Sequence, residues 1–177
     1  MMRLLLALAR AIDALNERIG RAVCWLVLLA AAVSTINALM RYAFDVGSNA
    51  WLEIQWYLFA AIFLLGAGYT LKVNGHVRID VLAGRLSERA QAWIDILGGL
   101  LFLLPMALII LYFSWPMVAQ SYASGEVSGD AGGLLRWPVK ALIPAGFTLL
   151  VLQALSEIVK RIAFLRGLLP GKSMDGR

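Results

Sequence analysis

The chain has 177 residues, of which 61% are apolar and only 15% are charged, and its mean hydropathy is +0.78. Soluble domains average about 45–50% apolar and about 25% charged residues, so this composition excludes an ordinary soluble enzyme and predicts a membrane protein. The net charge of +5 would suggest nucleic acid in a soluble chain, but here we expect no nucleic-acid partner. A single cysteine, Cys24, and a single histidine, His76, exclude an intrachain disulfide, a bis-histidine haem and an ordinary zinc site within one chain, and we predict no cofactor.

The first twenty residues are predicted to form an amphipathic helix. Apolar residues recur at helical spacing from Leu4 to Ile19, while charged residues such as Arg10, Asp13 and Glu17 gather on another side. Such a helix is expected to lie on the cytoplasmic membrane surface, with its basic residues near anionic lipid. A secretory signal peptide is the alternative, which the charges after a short apolar core disfavour.

Four apolar stretches are long enough, or nearly so, to cross a bilayer. Pro105 and Pro116 interrupt the third stretch, which we interpret as one bent span. A second amphipathic, interfacial helix is predicted between spans two and three, with Leu86 and Trp93 on its apolar face. The spans are predicted at about 22–40, 50–71, 95–119 and 138–157, within a single membrane domain that covers residues 1–177.

The basic residues are distributed unevenly between the two sides of the predicted spans. Thirteen lie in the N-terminal tail, in the connection between spans two and three, and in the C-terminal tail, whereas only Arg41, Arg136 and Lys140 lie on the other side. Because cytoplasmic loops retain Lys and Arg, both termini are predicted to be cytoplasmic. The sequence therefore predicts an all-α membrane protein with four transmembrane helices and both termini inside.

Glu53 is the one candidate for an intramembrane charge with a transport role. It lies in the first turn of span two, where the helix dipole favours a carboxylate, and our first interpretation is an ion pair with Arg41 rather than a proton or cation site. So few polar groups do not provide a solute pathway through one copy, and no nucleophile has a histidine base, so we predict no enzyme. The other polar residues in or near the spans, predicted to form interhelical hydrogen bonds, are Asn37, Gln55 and Gln153.

A series of short motifs occurs in a fixed order along the chain. These are Arg41-Tyr42-x-Phe44, Trp51-x-Glu53, a Gly-Ala-Gly stretch at 66–68, His76-Val77-Arg78-Ile79-Asp80 and Gly132-Gly133-Leu134-Leu135-Arg136-Trp137-Pro138-x-Lys140. In this order and spacing they resemble the small integral membrane subunit of tripartite ATP-independent periplasmic (TRAP) transporters. The resemblance covers roughly residues 37–160. It departs from the family at Ile54, where many relatives have a second acid after the first.

The resemblance implies a four-span subunit of the bacterial inner membrane that scaffolds a large multi-span transport subunit. The large subunit takes up an organic acid by ion-coupled symport, after a periplasmic binding protein delivers the substrate. The expected partners are therefore the large membrane subunit, the periplasmic binding protein and membrane lipid. Two other functions stay open, namely a homodimeric four-span exporter that uses Glu53 as its coupling carboxylate and a membrane anchor for a respiratory enzyme.

Mostly structural roles follow from the resemblance for the motif residues. Arg41, Tyr42 and Trp51 are expected at the outer membrane interface, where arginine and aromatic rings anchor a span. The glycine-rich outer loop, residues 125–133, is either the contact for the binding protein or a flexible connector. A cytoplasmic turn after span two is expected to contain His76, Arg78 and Asp80. The full set of structural or interface candidates is Arg41, Tyr42, Trp51, Glu53, His76, Arg78, Asp80, Trp137 and Lys140.

Overall fold

Long helices make up almost all of the protein. A computed structural model describes residues 2–75 and 86–170, and this part of the chain is helical apart from its connecting loops. Four helical stretches in it are long and apolar enough to cross a membrane, which confirms the expected all-α fold with four spans. The elements are α1 (Met2–Phe44), α2 (Asn49–Lys72), α3 (Glu88–Gly98), a π-helical segment (Gly99–Leu103), α4 (Leu104–Ala123) and α5 (Trp137–Leu165).

Helix α1 is much longer than a membrane span requires. Its 43 residues extend about 64 Å at 1.5 Å per residue, roughly twice the hydrocarbon thickness. The sequence predicts a surface helix over residues 1–20 and a separate span over 22–40, but the structure has no break between them. This stretch holds no proline that would interrupt the helix, and Gly20 within it packs against Tyr69 of α2, where a Cβ would lie 2.3 Å from the ring Cγ. Its position relative to a membrane surface stays a prediction.

Helices α3 and α4 form one continuous stretch of 36 residues through the π-helical segment. Pro105 has no backbone N–H with which to continue the α-helical pattern. The N–H of Leu104 reaches back five residues to the carbonyl of Gly99, which is the hydrogen bond of a π-helical turn. The interruption expected in the third span is therefore a π-helical turn. The described part of the predicted interfacial helix is α3, whose N-cap Ser87 accepts from the N–H of Ala90 at 3.3 Å.

Helix α5 packs against every other helix that the structure describes. It comes close to α2 at Gly146, where a Cβ would lie 2.5 Å from the carbonyl oxygen of Leu64. At Gly68 of α2, the Asn16 side chain of α1 packs directly on the helix backbone, so that a Cβ would lie 2.2 Å from its Oδ1. Because lipid is as apolar as the helices, the bundle depends on such close packing through small residues and on interhelical hydrogen bonds.

The outer surface of the bundle is strongly apolar. Trp25, Phe63 and Phe102 are 70%, 80% and 76% exposed, respectively, and they lie on three different spans. On a soluble protein such a surface would be an aggregation site. Lipid or partner helices are the environment in which this surface is stable.

Candidate functional site

The loop between α4 and α5 folds into a short hairpin, residues 124–136. The N–H of Ser128 donates to the carbonyl of Leu134 at 2.9 Å, and the N–H of Arg136 donates to the carbonyl of Glu126 at 2.9 Å. These two bonds pair the outgoing and returning strands of the loop. The glycine-rich loop therefore has a defined backbone, and its contacts to the helices can be described residue by residue.

Helix α2 contacts the hairpin through one stripe of polar side chains. Asn49, Glu53 and Tyr57 follow one another at intervals of four residues and so share a face of the helix. Asn49 Nδ2 donates to the carbonyl of Ala131 at 3.2 Å, and the hydroxyl of Tyr57 donates to the carbonyl of Leu135 at 2.8 Å. Asn49 and Tyr57 thus bind carbonyls of the hairpin backbone, which supplies hydrogen-bond partners that these groups need where they are shielded from water.

Glu53 is the central residue of this stripe and is only 5% exposed. Its Oε2 accepts the backbone N–H of Leu134 at 2.7 Å, a charge-assisted hydrogen bond. The hairpin backbone passes close to the other carboxylate oxygen, since a Cβ at Gly133 would lie 3.2 Å from Oε1. Among the residues that the structure describes, Glu53 forms no ion pair with Arg41. The carboxylate binds the hairpin instead of the expected partner, Arg41.

The first turns of α5 fix the base of the hairpin. Lys140 pairs with Glu126, and its ammonium group holds the pKa of Glu126 below the ordinary value. The ring of Trp137 meets that of Tyr122 edge to face, with the centroids 5.4 Å apart. Two of the predicted interface candidates, Trp137 and Lys140, therefore lie beside the hairpin. We call this end of the bundle, residues 41–57 and 122–140, the hairpin end.

A groove between α1 and α2 lies at the hairpin end. It is separate from the contacts that α2 makes with the hairpin. Its volume is about 520 Å³. Arg41 and Tyr42 border it, and Tyr42 is 94% exposed; Trp51 is 43% exposed. The expected placement of these three residues at the outer membrane interface stays a prediction. The groove-lining residues include Ser34, Asn37, Arg41, Tyr42, Leu52 and Gln55.

A cluster of polar and charged side chains joins α1 to α5 at the opposite end of the bundle. Asn16 Nδ2 donates to Gln153 Oε1 at 2.9 Å, and both side chains are fully buried. Gln153 Nε2 donates to an oxygen of Asp13 at 2.8 Å, and Ser156 Oγ donates to the same oxygen at 2.9 Å. Lys160 Nζ donates to the Asp13 carboxylate at 3.0 Å, so the partly buried acid has a charged partner as well as neutral donors.

Two further ion pairs surround this polar cluster. Glu17 of α1 pairs with Lys72 of α2 at 2.6 Å, and Asp95 of α3 pairs with Arg161 of α5 at 3.0 Å. We call this end of the bundle, residues 13–21, 72, 95 and 153–161, the polar-cluster end. Lys72 follows Glu53 by 19 residues, or about 28 Å along α2, so the two ends lie about one hydrocarbon thickness apart.

In the described ranges no three His, Cys, Asp or Glu side chains form a group that could hold a metal ion.

Residues 30–164 of the chain match the family described as tripartite ATP-independent periplasmic transporters, DctQ component. The chain belongs to the DctQ family. It is 27% identical over 106 residues to the C4-dicarboxylate TRAP transporter small permease protein DctQ of Pseudomonas aeruginosa, which covers 59% of this chain and 50% of that protein. It is 33% identical over 75 residues to the "Putative TRAP transporter small permease protein" of Haemophilus influenzae, which covers 42% and 47%. The chain spans about half the length of the curated relatives it matches, and no solved structure matches it.

The DctQ match confirms the resemblance that the ordered motifs indicate. It includes the hairpin end, but it begins at residue 30, so the α1 side of the polar cluster lies outside it. The interface candidates that the structure describes are Arg41, Tyr42, Trp51, Glu53, Trp137 and Lys140. The remaining candidates, His76, Arg78 and Asp80, lie outside the described residues.

The structure confirms the predicted interhelical hydrogen bond of Gln153 in this DctQ-family chain, but not those of Asn37 and Gln55 among the described residues. Sequence reasoning missed the rest of the polar cluster. The amphipathic pattern places Asp13 and Glu17 on the polar side of a surface helix, and it gives Gln153 no named partner. The available signal is the spacing of two matching stripes: Asp13, Asn16 and Glu17 on α1, and Gln153, Ser156, Glu157 and Lys160 on α5. Two such stripes on otherwise apolar helices indicate that the helices face each other at that level.

Proposed function

We propose that this chain is the noncatalytic small permease subunit of a TRAP transporter and that it braces a large membrane subunit during ion-coupled uptake of an organic acid. A periplasmic binding protein delivers the substrate in this proposal. Membership of the DctQ family supports the general role. The name of the Pseudomonas aeruginosa relative, a C4-dicarboxylate transporter component, supports an organic acid as the class of substrate.

The positions of the buried polar side chains support the proposal that this chain braces the large membrane subunit. In the described part of the chain they lie at the polar-cluster end, at the hairpin end or, for Ser121, directly beside the hairpin end, apart from Ser114, whose hydroxyl donates to a carbonyl of its own helix. Between the two ends, α1 buries Val23, Ala30 and Val33, and α5 buries Leu150. A solute pathway needs convergent polar groups or broken helices near the middle of the membrane. The arrangement therefore favours a supporting subunit over a conduit.

The surroundings of Glu53 favour a structural role over that of a coupling carboxylate. A coupling carboxylate has to exchange a proton or cation with a solvated pathway. Glu53 is instead buried against the hairpin, and the backbone of Leu134 already donates to it. We assign Glu53 the task of positioning the hairpin, which supports the brace against the exporter alternative.

The proposed orientation follows from the distribution of basic residues. We propose a multi-pass protein of the bacterial inner membrane with both termini in the cytoplasm. The hairpin end then faces the periplasm, and the polar-cluster end faces the cytoplasm. In this orientation the hairpin is the part of the described chain best placed to meet a binding protein that delivers substrate.

Reconstitution into proteoliposomes tests the proposal. Vesicles that contain this chain, the large membrane subunit and the binding protein should accumulate at least one radiolabelled organic acid, including succinate as the C4-dicarboxylate. Vesicles that lack this chain should lose that uptake. Full uptake without the chain, or accumulation by the chain alone, would contradict the proposal.

A matched variant separates the brace from the exporter. Glu53→Gln keeps a side-chain oxygen that can accept from the N–H of Leu134 but removes the charge. The brace predicts that uptake by the assembled transporter persists in this variant. Loss of coupled uptake from an intact assembly would favour the coupling carboxylate instead.

A further inference from the structure

We infer that the groove between α1 and α2 at the hairpin end is the surface on which a transmembrane helix of the large subunit packs, with an acidic side chain of that helix meeting Arg41. This inference rests on the proposed function and adds to it the place of contact and the chemistry of the partner helix. It is carried by polar side chains in a membrane-spanning surface for which the described residues supply no partner.

The groove is polar at a depth where the rest of the outer surface is apolar. Asn37 precedes Arg41 by one turn of α1, about 6 Å along the axis, and Ser34 precedes it by about 10 Å. Gln55 faces the same groove from α2. Among the residues that the structure describes, the side chains of Asn37, Arg41 and Gln55 form no hydrogen bond and no ion pair.

The groove is a gap between two helices that are in contact elsewhere. Toward the polar-cluster end α1 and α2 pack closely, with Gly20 against Tyr69 and Gly66 near Val23. Toward the hairpin end no glycine draws them together, and the space between them reaches about 520 Å³. The same pair of helices thus leaves room for an added surface at one end only.

The depth of the polar groups decides between lipid and protein as the occupant. A lipid phosphate could pair with Arg41 at the interface, but acyl chains carry no donor or acceptor for the amides of Asn37 and Gln55 below it. A helix of a partner subunit supplies both an acid near the interface and amide or hydroxyl groups one or two turns deeper. The helix dipole favours a positive charge in the last turn of α1, which accounts for Arg41. It does not account for the side-chain amides of Asn37 and Gln55. Asp45 also borders the groove, and in the described chain it makes no ion pair with Arg41.

Photo-cross-linking in the assembled transporter tests the location. Benzoylphenylalanine is placed at Ala38 or Leu52, which line the groove, and the full chain is expressed with its large subunit in native membranes. Mass spectrometry should identify adducts with a transmembrane segment of the large subunit. Adducts with lipid only, adducts with a second copy of this chain only, or no adducts at all would each overturn the inference.

Paired substitutions test the chemistry of the contact. The double variant Asn37→Leu and Gln55→Leu should reduce the affinity for the large subunit about tenfold, from roughly threefold for each interhelical hydrogen bond. Thr35→Val is the matched control, because the Thr35 hydroxyl is exposed and donates to the carbonyl of Ala31 in its own helix at 2.9 Å. This control should change the affinity less than twofold. Equal retention of the large subunit by both variants would overturn the inference.

The two proposals fail in distinguishable ways. If the tagged native chain recovers no large subunit from membranes, the proposed function itself is wrong. If it recovers the large subunit but Ala38 and Leu52 give no adduct with it, only the placement of the contact is wrong. Because the cross-linking variants leave every polar groove residue in place, their result does not depend on the folding of the leucine variants.

Discussion

Replacing Gly68 with alanine tests whether close helix contacts and the polar cluster together stabilise the bundle. Oδ1 of Asn16 is buried and has no N–H or O–H donor among the described residues. The Gly68 hydrogen that a methyl group would replace points toward this oxygen, which makes a Cα–H···O contact between α2 and α1. Gly68→Ala therefore removes that contact and inserts a carbon atom in its place.

The magnitude follows from the neighbours of the added methyl group. A Cβ at Gly68 would lie 2.2 Å from Asn16 Oδ1 and 3.2 Å from the carbonyl oxygen of Leu149, so the Asn16 side chain has to move. Overpacking costs about 1–3 kcal/mol, and moving Asn16 leaves the buried Gln153 Oε1 without its donor at a cost of about 1–3 kcal/mol. Alanine is more favourable than glycine in a helix by about 1 kcal/mol. We expect Gly68→Ala to lower the free energy of unfolding by about 1–5 kcal/mol net.

Equilibrium unfolding in mixed micelles, followed by far-UV circular dichroism, measures this difference. The matched control is Gly66→Ala in the same helix, where a Cβ would lie 3.7 Å from Val23 Cγ1, an ordinary van der Waals distance. We expect this control to be neutral or slightly stabilising, by up to about 1 kcal/mol. Removal of the Asn16 side chain in the double variant Asn16→Ala and Gly68→Ala should cost less than the sum of the single changes. Equal stability of Gly68→Ala and Gly66→Ala, or strict additivity in the double variant, would refute the reasoning.

Three further predictions concern the hairpin and the contact between α2 and α5. Glu53→Leu leaves the N–H of Leu134 without its acceptor, at a cost of about 1–3 kcal/mol, and should speed hydrogen exchange in the hairpin but not at the polar-cluster end. Because Lys140 holds the folded-state pKa of Glu126 below its ordinary value, this pair stabilises the hairpin at pH values above that ordinary pKa, and the stabilisation is lost as the pH falls through the lowered pKa. The protection factors of the hairpin amides, which are corrected for the pH dependence of intrinsic exchange, should therefore fall on acidification, and Glu126→Gln should abolish that fall. Gly146→Ala should lower the free energy of unfolding by about 1–3 kcal/mol, because its methyl group meets the α2 backbone, which cannot rotate away.

Each of these predictions has its own contrary outcome. Unchanged hairpin exchange in Glu53→Leu would mean that the other contacts from α2 suffice to hold the loop. An acid response that persists in Glu126→Gln would assign it to another group. Native stability of Gly146→Ala, measured beside the neutral Gly66→Ala control, would mean that α2 and α5 can separate at no cost.

The spans could be predicted from the sequence because hydropathy reports directly on the cost of placing a segment in lipid. The continuity of α1 could not be predicted, because the pattern changes near residue 21 from amphipathic to uniformly apolar. That change marks a new environment along the helix and not a break in its backbone. Only the contact of Gly20 with Tyr69 shows that this glycine serves close packing, and that contact depends on a residue 49 positions away in the chain.

The partner of Glu53 was beyond sequence reasoning for a similar reason. Its position at the start of α2 indicates a carboxylate near an interface, but two partners fit that description, a side chain on α1 and a folded loop. The hairpin begins 71 residues after Glu53, and the sequence pattern does not indicate where its backbone N–H groups point. What the sequence does carry is the stripe of Asn49, Glu53 and Tyr57, which indicates that this face of α2 binds something polar.

The polar contacts also determine how a bundle with so few large buried side chains keeps its register. Apolar helix surfaces pack against lipid and against each other with similar energies, so apolar contact alone does not fix rotation about a helix axis. A slip of one residue turns a helix by about 100°, which would point Gln153 or Glu53 into hydrocarbon, where an unsatisfied polar group costs several kcal/mol. Because these contacts lie at opposite ends of the bundle, pivoting about either one is opposed by the other. An element that moves during transport needs two arrangements of similar energy, whereas these contacts select one, as the proposed bracing role requires.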